Sequence, residues 1–196
     1  MPFLSAVCRA VANYNRSMSL DADLALLESC DRAPALQSGA FALAPVAIDD
    51  VRLEYCLRLA HANMNPYLLR RGENFDDTRW RLHAPKSELF LVTKTAALTT
   101  TDIGFLSVRI ERDTPCALHV GDVQIEPAQQ NHGAGTATLY LVEKIARARG
   151  LTELTLHVFR DNPALALYQR CGYQCIDTQF YKYKMRKSLH QGAEQK

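Results

Sequence analysis

The sequence predicts a single α/β domain, a mixed central β-sheet flanked by helices, with a helical extension at its N-terminus. Three observations carry that prediction. Residues 88–125 hold three successive segments rich in β-branched and aromatic residues, ELFLVTKT, DIGFLSVRI and ALHVGDVQI. After residue 133 the pattern changes to helix and strand in alternation. The chain has 196 residues, 47% of them hydrophobic, which supplies one real core and little room for a second.

Taken in order, residues 1–30 place Leu4, Val7, Cys8 and Val11, then Leu20, Leu24 and Leu27, at helical spacing. DRAPALQSGA at 31–40 collects Pro, Gly and Ser without a period and reads as a linker. Residues 1–40 thus form an extension with its linker, 41–187 the main domain, and 188–196 a polar tail. FALAPVAI opens the domain as a short strand. Asp49 and Asp50 then start a helical pattern with Val51, Tyr55, Leu59 and Met64 on one face, and Asn65-Pro66 ends or turns it. Short polar connections make the three strand segments antiparallel neighbours. Residues 134–149 repeat Ala137, Leu141, Ile145 and Ala148 on a helical face and stop at Gly150. LTLHV turns Leu154, Leu156 and Val158 inward as a strand. A second helix spans 162–171, capped by Asp161 or Asn162, begun by Pro163 and ended by Gly172. YQCI and FYKYKMR form a final strand pair.

Composition excludes several function classes. With 23 basic and 21 acidic residues and a net charge of +2, nothing electrostatic calls for nucleic acid or a membrane surface. Cysteines 8, 30, 56, 116, 171 and 175 form no C-x-x-C pair and show no metal-like spacing, so reduced thiols in a cytoplasmic protein without a metal are expected. MPFLSAVCRA lacks the basic region of a secretion signal, and charges break every apolar run well short of the roughly 20 residues a membrane helix needs.

Between a predicted strand and a predicted helix lies IEPAQQNHGAGTA, with glycines at 133 and 135. Without side chains there, backbone amides can approach a pyrophosphate closely, and the helix N-terminus adds a positive dipole end. A Walker A loop would require Lys after Gly135, where Thr136 stands; a dinucleotide fingerprint would require Gly or Ala at 138, which is Thr.

Gln130, Gly133 and Gly135 resemble the Q/R-x-x-G-x-G/A loop of the GNAT superfamily, and the preceding V-Q-I-E-P is similar to that family's fourth strand. A second motif, VFRDNPALALYQRCGY, resembles the family's Asn, Ala, Leu-Tyr, Gly-Tyr pattern at Asn162, Ala166, Leu167, Tyr168, Gly172 and Tyr173. The resemblance spans roughly residues 41–186 and implies an N-acetyltransferase that uses acetyl-CoA as co-substrate. It implies that amides of Gln130, Asn131, His132, Gly133, Ala134, Gly135 and Thr136 hold the pyrophosphate. Backbone at Val123 and Ile125 would hold the pantetheine arm, and Asn162 would bond that arm or anchor its loop. Tyr168 would be the general acid, its alternative being an aromatic packed on the sheet.

A base is needed to free the amine, and Asp122 is preferred to His119. Three residues apart on one strand, the two are expected on opposite faces, with His119 an ordinary sheet residue touching solvent. The segment NMNPYLLRRGENFDD at 63–77 falls where the family builds its acceptor site and resembles, among members, the protein N-terminal acetyltransferases. Tyr67 would bind the acceptor or simply pack, and Glu73, Asp76 and Asp77 offer attraction to a cationic peptide or polyamine, or form a solvated turn. The acceptor is then a protein N-terminus or a small-molecule amine. The alternative is a non-catalytic acyl-CoA-binding module that regulates a partner, and a homodimer is an option the resemblance allows.

Overall fold

A computed structural model describes residues 36–47, 51–111 and 114–189. The expected helical extension at 1–30, the Asp49-Asp50 helix start and the polar tail beyond 189 lie outside the described residues. Eight strands form one sheet in the order β1-β2-β3-β4-β5-β6-β8-β7. They are β1 Gln37–Ser38, β2 Phe41–Val46, β3 Glu88–Ala96, β4 Thr99–Ile110, β5 Ala117–Ile125, β6 Glu153–Phe159, β7 Gln174–Gln179 and β8 Lys182–Ser188. Among the paired strands β5 and β6 alone are parallel, the chain crossing between them through a helix. The mixed α/β architecture expected from the sequence is what the chain adopts.

Burial explains which segments became strands. In β4, Ile103, Phe105, Leu106 and Val108 are at most 3% exposed although they alternate between faces, so both faces of the sheet are covered. On one face the helices α1 Arg52–Leu69 and α2 Asp77–His83 cover Leu89, Leu91 and Phe105, with Cys56, Leu59 and Ala60 pointing down from α1. On the other, α3 Ala134–Ala148 and α4 Ala164–Arg170 cover Leu106, Val108, Leu118, Val120, Leu154 and Leu156. Each fully buried Leu or Phe in these two layers contributes about 1.5–3 kcal/mol.

Four readings change against the structure. Leu36 packs on the core and residues 37–38 pair with β2, so the linker ends as a strand. The helix runs through Pro66 to Leu69, because a proline in the last turn removes only the amide that would have reached Ala62, and Asn65 is held by accepting a bond from the Phe75 amide at 2.9 Å. The apolar face of α1 is Cys56, Leu59 and Ala60, while Val51 is exposed. Finally, α2 was not anticipated. Asp76 caps it by accepting from the Arg79 amide at 2.8 Å, but seven residues carry too little periodicity to declare a helix.

Close backbone approach fixes Gly104 on β4. A Cβ there would sit 2.2 Å from the Gln124 carbonyl oxygen and 2.9 Å from Ile125 Cδ1. Gly104→Ala is therefore expected to lose about 1–3 kcal/mol of stability, read as a lower denaturant midpoint at unchanged slope; an unchanged midpoint would show that β4 and β5 are not locked at this spacing.

Candidate active site

The site begins with one extra residue. Ser107 on β4 pairs with Asp122, whereas Val108 pairs with Val120, so Gly121 bulges out of β5. A side chain there would put its Cβ 2.7 Å from Ser107 Oγ. Parallel pairing of β5 with β6 ends at the same place, Val120 with Leu156. Beyond it β5 continues paired to β4 as far as Ile125, and β6 continues paired to β8 as far as Phe159. The facing edges of Asp122–Ile125 and His157–Phe159 are left apart, and the sheet opens as a V. Glu126 donates its amide to Ile103 on β4 at 2.8 Å, so by strand alternation the backbone groups of Ile125 and Val123 point the other way, into the opening.

That opening is the floor of a cleft of about 1170 Å³. At one mouth lies the loop ending in α3. Asn131 and Gly133 both take the left-handed conformation, at φ +62 and +86°, and no side chain caps the helix. The amides of Ala134, Gly135 and Thr136 are the first of α3 and have no partner inside the helix. Successive amides around left-handed residues, ending in a helix N-terminus, form an anion cradle. Gly133 has nothing within 4 Å of where a Cβ would stand, so its requirement for glycine is conformational; at Gly135 a Cβ would lie 2.9 Å from Leu167 Cδ2, where α3 meets α4.

Of the residues proposed from sequence, Tyr67, His119, Asp122, Val123, Ile125, Gln130, Asn131, Gly133, Gly135, Thr136, Asn162 and Tyr168 all line this cleft. The Gln130 side chain donates to the Ile125 carbonyl at 3.0 Å and ties the loop to β5. The side chains of His132, exposed, and Ala134, buried, do not line it. Asn162 accepts the Ala164 amide at 2.8 Å, ordering the turn into α4. Tyr67 stacks on Phe159 at 5.9 Å. Arg71 anchors the end of α1 beside it, bonding Asp161 at 2.6 Å and lying 4.6 Å over the Phe159 ring.

The bulge overturns one expectation about the base. Arg109 pairs with His119 and Ser107 with Asp122; since Ser107 and Arg109 are two apart on β4, His119 and Asp122 share a face. Nor does His119 touch solvent. It is 4% exposed, with Nδ1 3.0 Å from Thr155 Oγ1 and 3.2 Å from Glu111 Oε2, and its ring 5.4 Å from His157. Burial, with the Arg109 charge second, pushes its pKa down to about 4. Asp122 accepts from Ser107 Oγ at 3.0 Å and from Gln124 Nε2 at 3.3 Å, and Gln124 in turn accepts from Asn63 of α1 at 3.1 Å. Desolvation outweighs these bonds and raises the Asp122 pKa. Ser107, Gln124 and Asn63 were not singled out from sequence; ordinary polar residues carry no signal until the fold converges them.

Tyr168 is 8% exposed and meets Tyr173 edge-on at 5.8 Å. Burial, reinforced by the Asp122 charge, raises its pKa, so the phenol is a proton donor throughout the neutral range. The acidic residues Glu73, Asp76 and Asp77 do not line the cleft: Asp76 caps α2 and Asp77 lies 2.9 Å from His61. Among the described residues Cys56, Cys116, Cys171 and Cys175 are free, and no helix is long and apolar enough to cross a membrane.

The sheet is thus mixed and split between its two parallel strands, with an uncapped helix N-terminus at the mouth of the cleft. The model of the acetyltransferase (GNAT) family matches residues 57–173, more than half of the chain, and the protein belongs to that family. No curated protein matches it. Among solved structures, it is similar to the PaiA N-acetyltransferase of Thermoplasma acidophilum in complex with coenzyme A, at 18% identity and TM-score 0.57, over 76% of this chain and 98% of that one. A probable GNAT-family acetyltransferase from Chromobacterium violaceum shares 20% identity at TM-score 0.59, over 80% and 87%. A domain from Methanocaldococcus jannaschii shares 13% at TM-score 0.62, over 76% and 98%. At these identities the likeness is one of fold.

The depressed His119 pKa has a sign that can be checked. Between about pH 6.5 and about 4 the unfolded chain binds a proton at this position that the folded chain refuses, so this residue's contribution to stability is lost as pH falls through that window. Asp122, with its raised pKa, acts in the opposite sense. Replacing His119 with Asn should flatten the fall in unfolding free energy between pH 6.5 and 4, by roughly 1–3 kcal/mol; an unchanged slope in chemical denaturation would mean the imidazole is not held neutral.

Proposed function

We propose that this acetyltransferase moves the acetyl group of acetyl-CoA directly to a primary amine, both substrates being bound together in the cleft. The observation that supports this best is the split of β5 from β6 directly behind the uncapped N-terminus of α3. In this reading the amides of residues 131–136 take the pyrophosphate, and the backbone of Val123 and Ile125 pairs with the pantetheine arm as a missing strand would. The Ile125 amide polarises the thioester carbonyl, which gains negative charge as the amine adds. The new C–N bond forms from the amine lone pair as the C–S bond breaks. Asp122 takes the proton lost by nitrogen, directly or through a water, and Tyr168 delivers one to the departing sulfur. A carboxylate of raised pKa is the stronger base, and a buried phenol remains protonated until the thiolate needs it. The acceptor is a protein N-terminus or a small amine, reached from the side of Tyr67 and α1.

Calorimetric titration with acetyl-CoA, followed by thiol-release assays on amines and N-terminal peptides, tests the proposal. Binding with turnover is expected; binding without turnover on any class would favour a regulatory acyl-CoA-binding module, and no binding would overturn the reading. Tyr168→Phe should lower turnover by about 10²-fold or more with acetyl-CoA affinity nearly unchanged, and a variant as fast as the parent would remove Tyr168 from the acid role. Gly133→Val should weaken acetyl-CoA binding, because a β-branched residue resists φ +86° and distorts the cradle. Equal affinity in that variant would contradict the cradle.

A further inference from the structure

Transfer chemistry does not account for the charges around the acceptor end of the cleft. Among the side chains that line it are four cations, Arg70, Arg109, Arg170 and Lys182, and a single carboxylic acid, Asp122. Arg70 is taken by Asp161 at 3.1 Å, and Arg170 belongs to α4, against the other face of the sheet. Arg109 and Lys182 remain. Among the described residues neither makes an ion pair or a side-chain hydrogen bond; Lys182 lies 4.7 Å from the centre of the Phe159 ring and in the field of Glu73 and Asp122, and Arg109 in that of Asp122.

Register brings these two cations to the same face as the proposed base. Arg109 lies opposite His119, Ser107 opposite Asp122, Lys182 opposite Phe159 and Lys184 opposite His157. With His119 beside Thr155 across the parallel pair, one face carries Arg109, His119, His157, Lys182 and Lys184 across four strands. Of the acids around this face, Asp122 is the proposed base and Glu73 acts on Lys182 through its field without an ion pair. Glu111 is held by Thr155 at 2.9 Å and by His119, and Asp177, opposite Lys184 on β7, accepts from Thr178 and Gln179 at 2.7 and 2.9 Å. The Arg109 guanidinium reaches the bulge, its Nη1 3.6 Å from where a Cβ would stand at Gly121. The same positive field contributes, after burial, to holding both imidazoles neutral.

We propose that the acceptor is an amine that also carries an anionic group, a carboxylate or a phosphate, and that Arg109 and Lys182 hold this group while the amine faces Asp122. This rests on the acetyl-transfer reading above and names its substrate class. A guanidinium presents a planar fork to carboxylate or phosphate, and cations that bond no carboxylate at a half-desolvated cleft are relieved by an anionic ligand. A polyamine or a lysine-rich peptide would meet repulsion in the same place.

Thiol release from acetyl-CoA with the full chain and matched probes tests this: β-alanine against β-alaninamide, O-phosphoethanolamine against ethanolamine, putrescine, and peptides beginning with Asp or with Lys. The anionic member of each pair should show a kcat/KM at least about tenfold higher. Whether carboxylate, phosphate or the Asp-first peptide leads identifies the source of the anion. Arg109→Gln should collapse the ratio, chiefly through KM, and Arg109→Lys should restore part of it. Lys182→Gln alters an exposed residue at the start of β8 and should lower the same ratio in a chain that melts like the parent. Equal turnover of both members, or a preference for putrescine, would overturn this inference and leave acetyl transfer standing; no thiol release with any amine would overturn both.

Discussion

Parallel pairing between β5 and β6 can extend only while the two strands run side by side, and the extra residue at Gly121 ends that condition. The bulge bends β5 away toward β4, so its last four residues and the last three of β6 face each other without a ladder. A sheet interior normally has no polar edges to spare, because an unpaired backbone group buried from water costs free energy comparable to a lost hydrogen bond. Here those edges line a cleft, where an extended amide-bearing ligand can complete them. The same bulge rotates Asp122 onto the face of His119 and places it over Ser107, which donates to it. One inserted glycine thus creates both the groove and the position of the proposed base.

The rest of the fold holds this opening in place. Two apolar layers clamp the sheet, one under α1 and α2 and one under α3 and α4, with Phe105 and Leu106 fully buried on opposite sides of adjacent β4 residues. Across the split, α1 reaches β5 through Asn63, which bonds Gln124 and the Ile125 carbonyl at 3.1 Å each, and reaches the loop after β6 through Arg71 and Asp161. Those contacts span the V and resist its closure. On the opposite face Gly135 lets α3 approach Leu167 of α4, which aligns the helix N-terminus with the groove.

Much of this was legible in the sequence where local chemistry decides it. Strand segments were readable because β-branched and aromatic residues cluster at 88–125, and the loop because glycines at 133 and 135 stand between strand and helix signals. Tyr168 was singled out through the resemblance of VFRDNPALALYQRCGY to the family's motif. What failed depends on register or on tertiary contact. The shared face of His119 and Asp122 follows from a bulge that periodicity cannot see, the passage of α1 through Pro66 from packing around Asn65 and Tyr67, and α2 from a single cap at Asp76. Arg109 and Lys182 stand 73 positions apart and meet one cleft only because β8 folds back beside β6. The acidic turn at 73–77 was the more visible charge cluster, yet it caps a helix instead of lining the cleft.

Amide hydrogen exchange of the full chain with and without coenzyme A addresses the central claim most directly, because it reports on backbone groups one residue at a time. The account predicts slowed exchange at Val123 and Ile125 and across 131–136, where groove and cradle amides gain partners. Unchanged exchange at those amides, with protection appearing elsewhere, for instance along the β7–β8 edge, would contradict it.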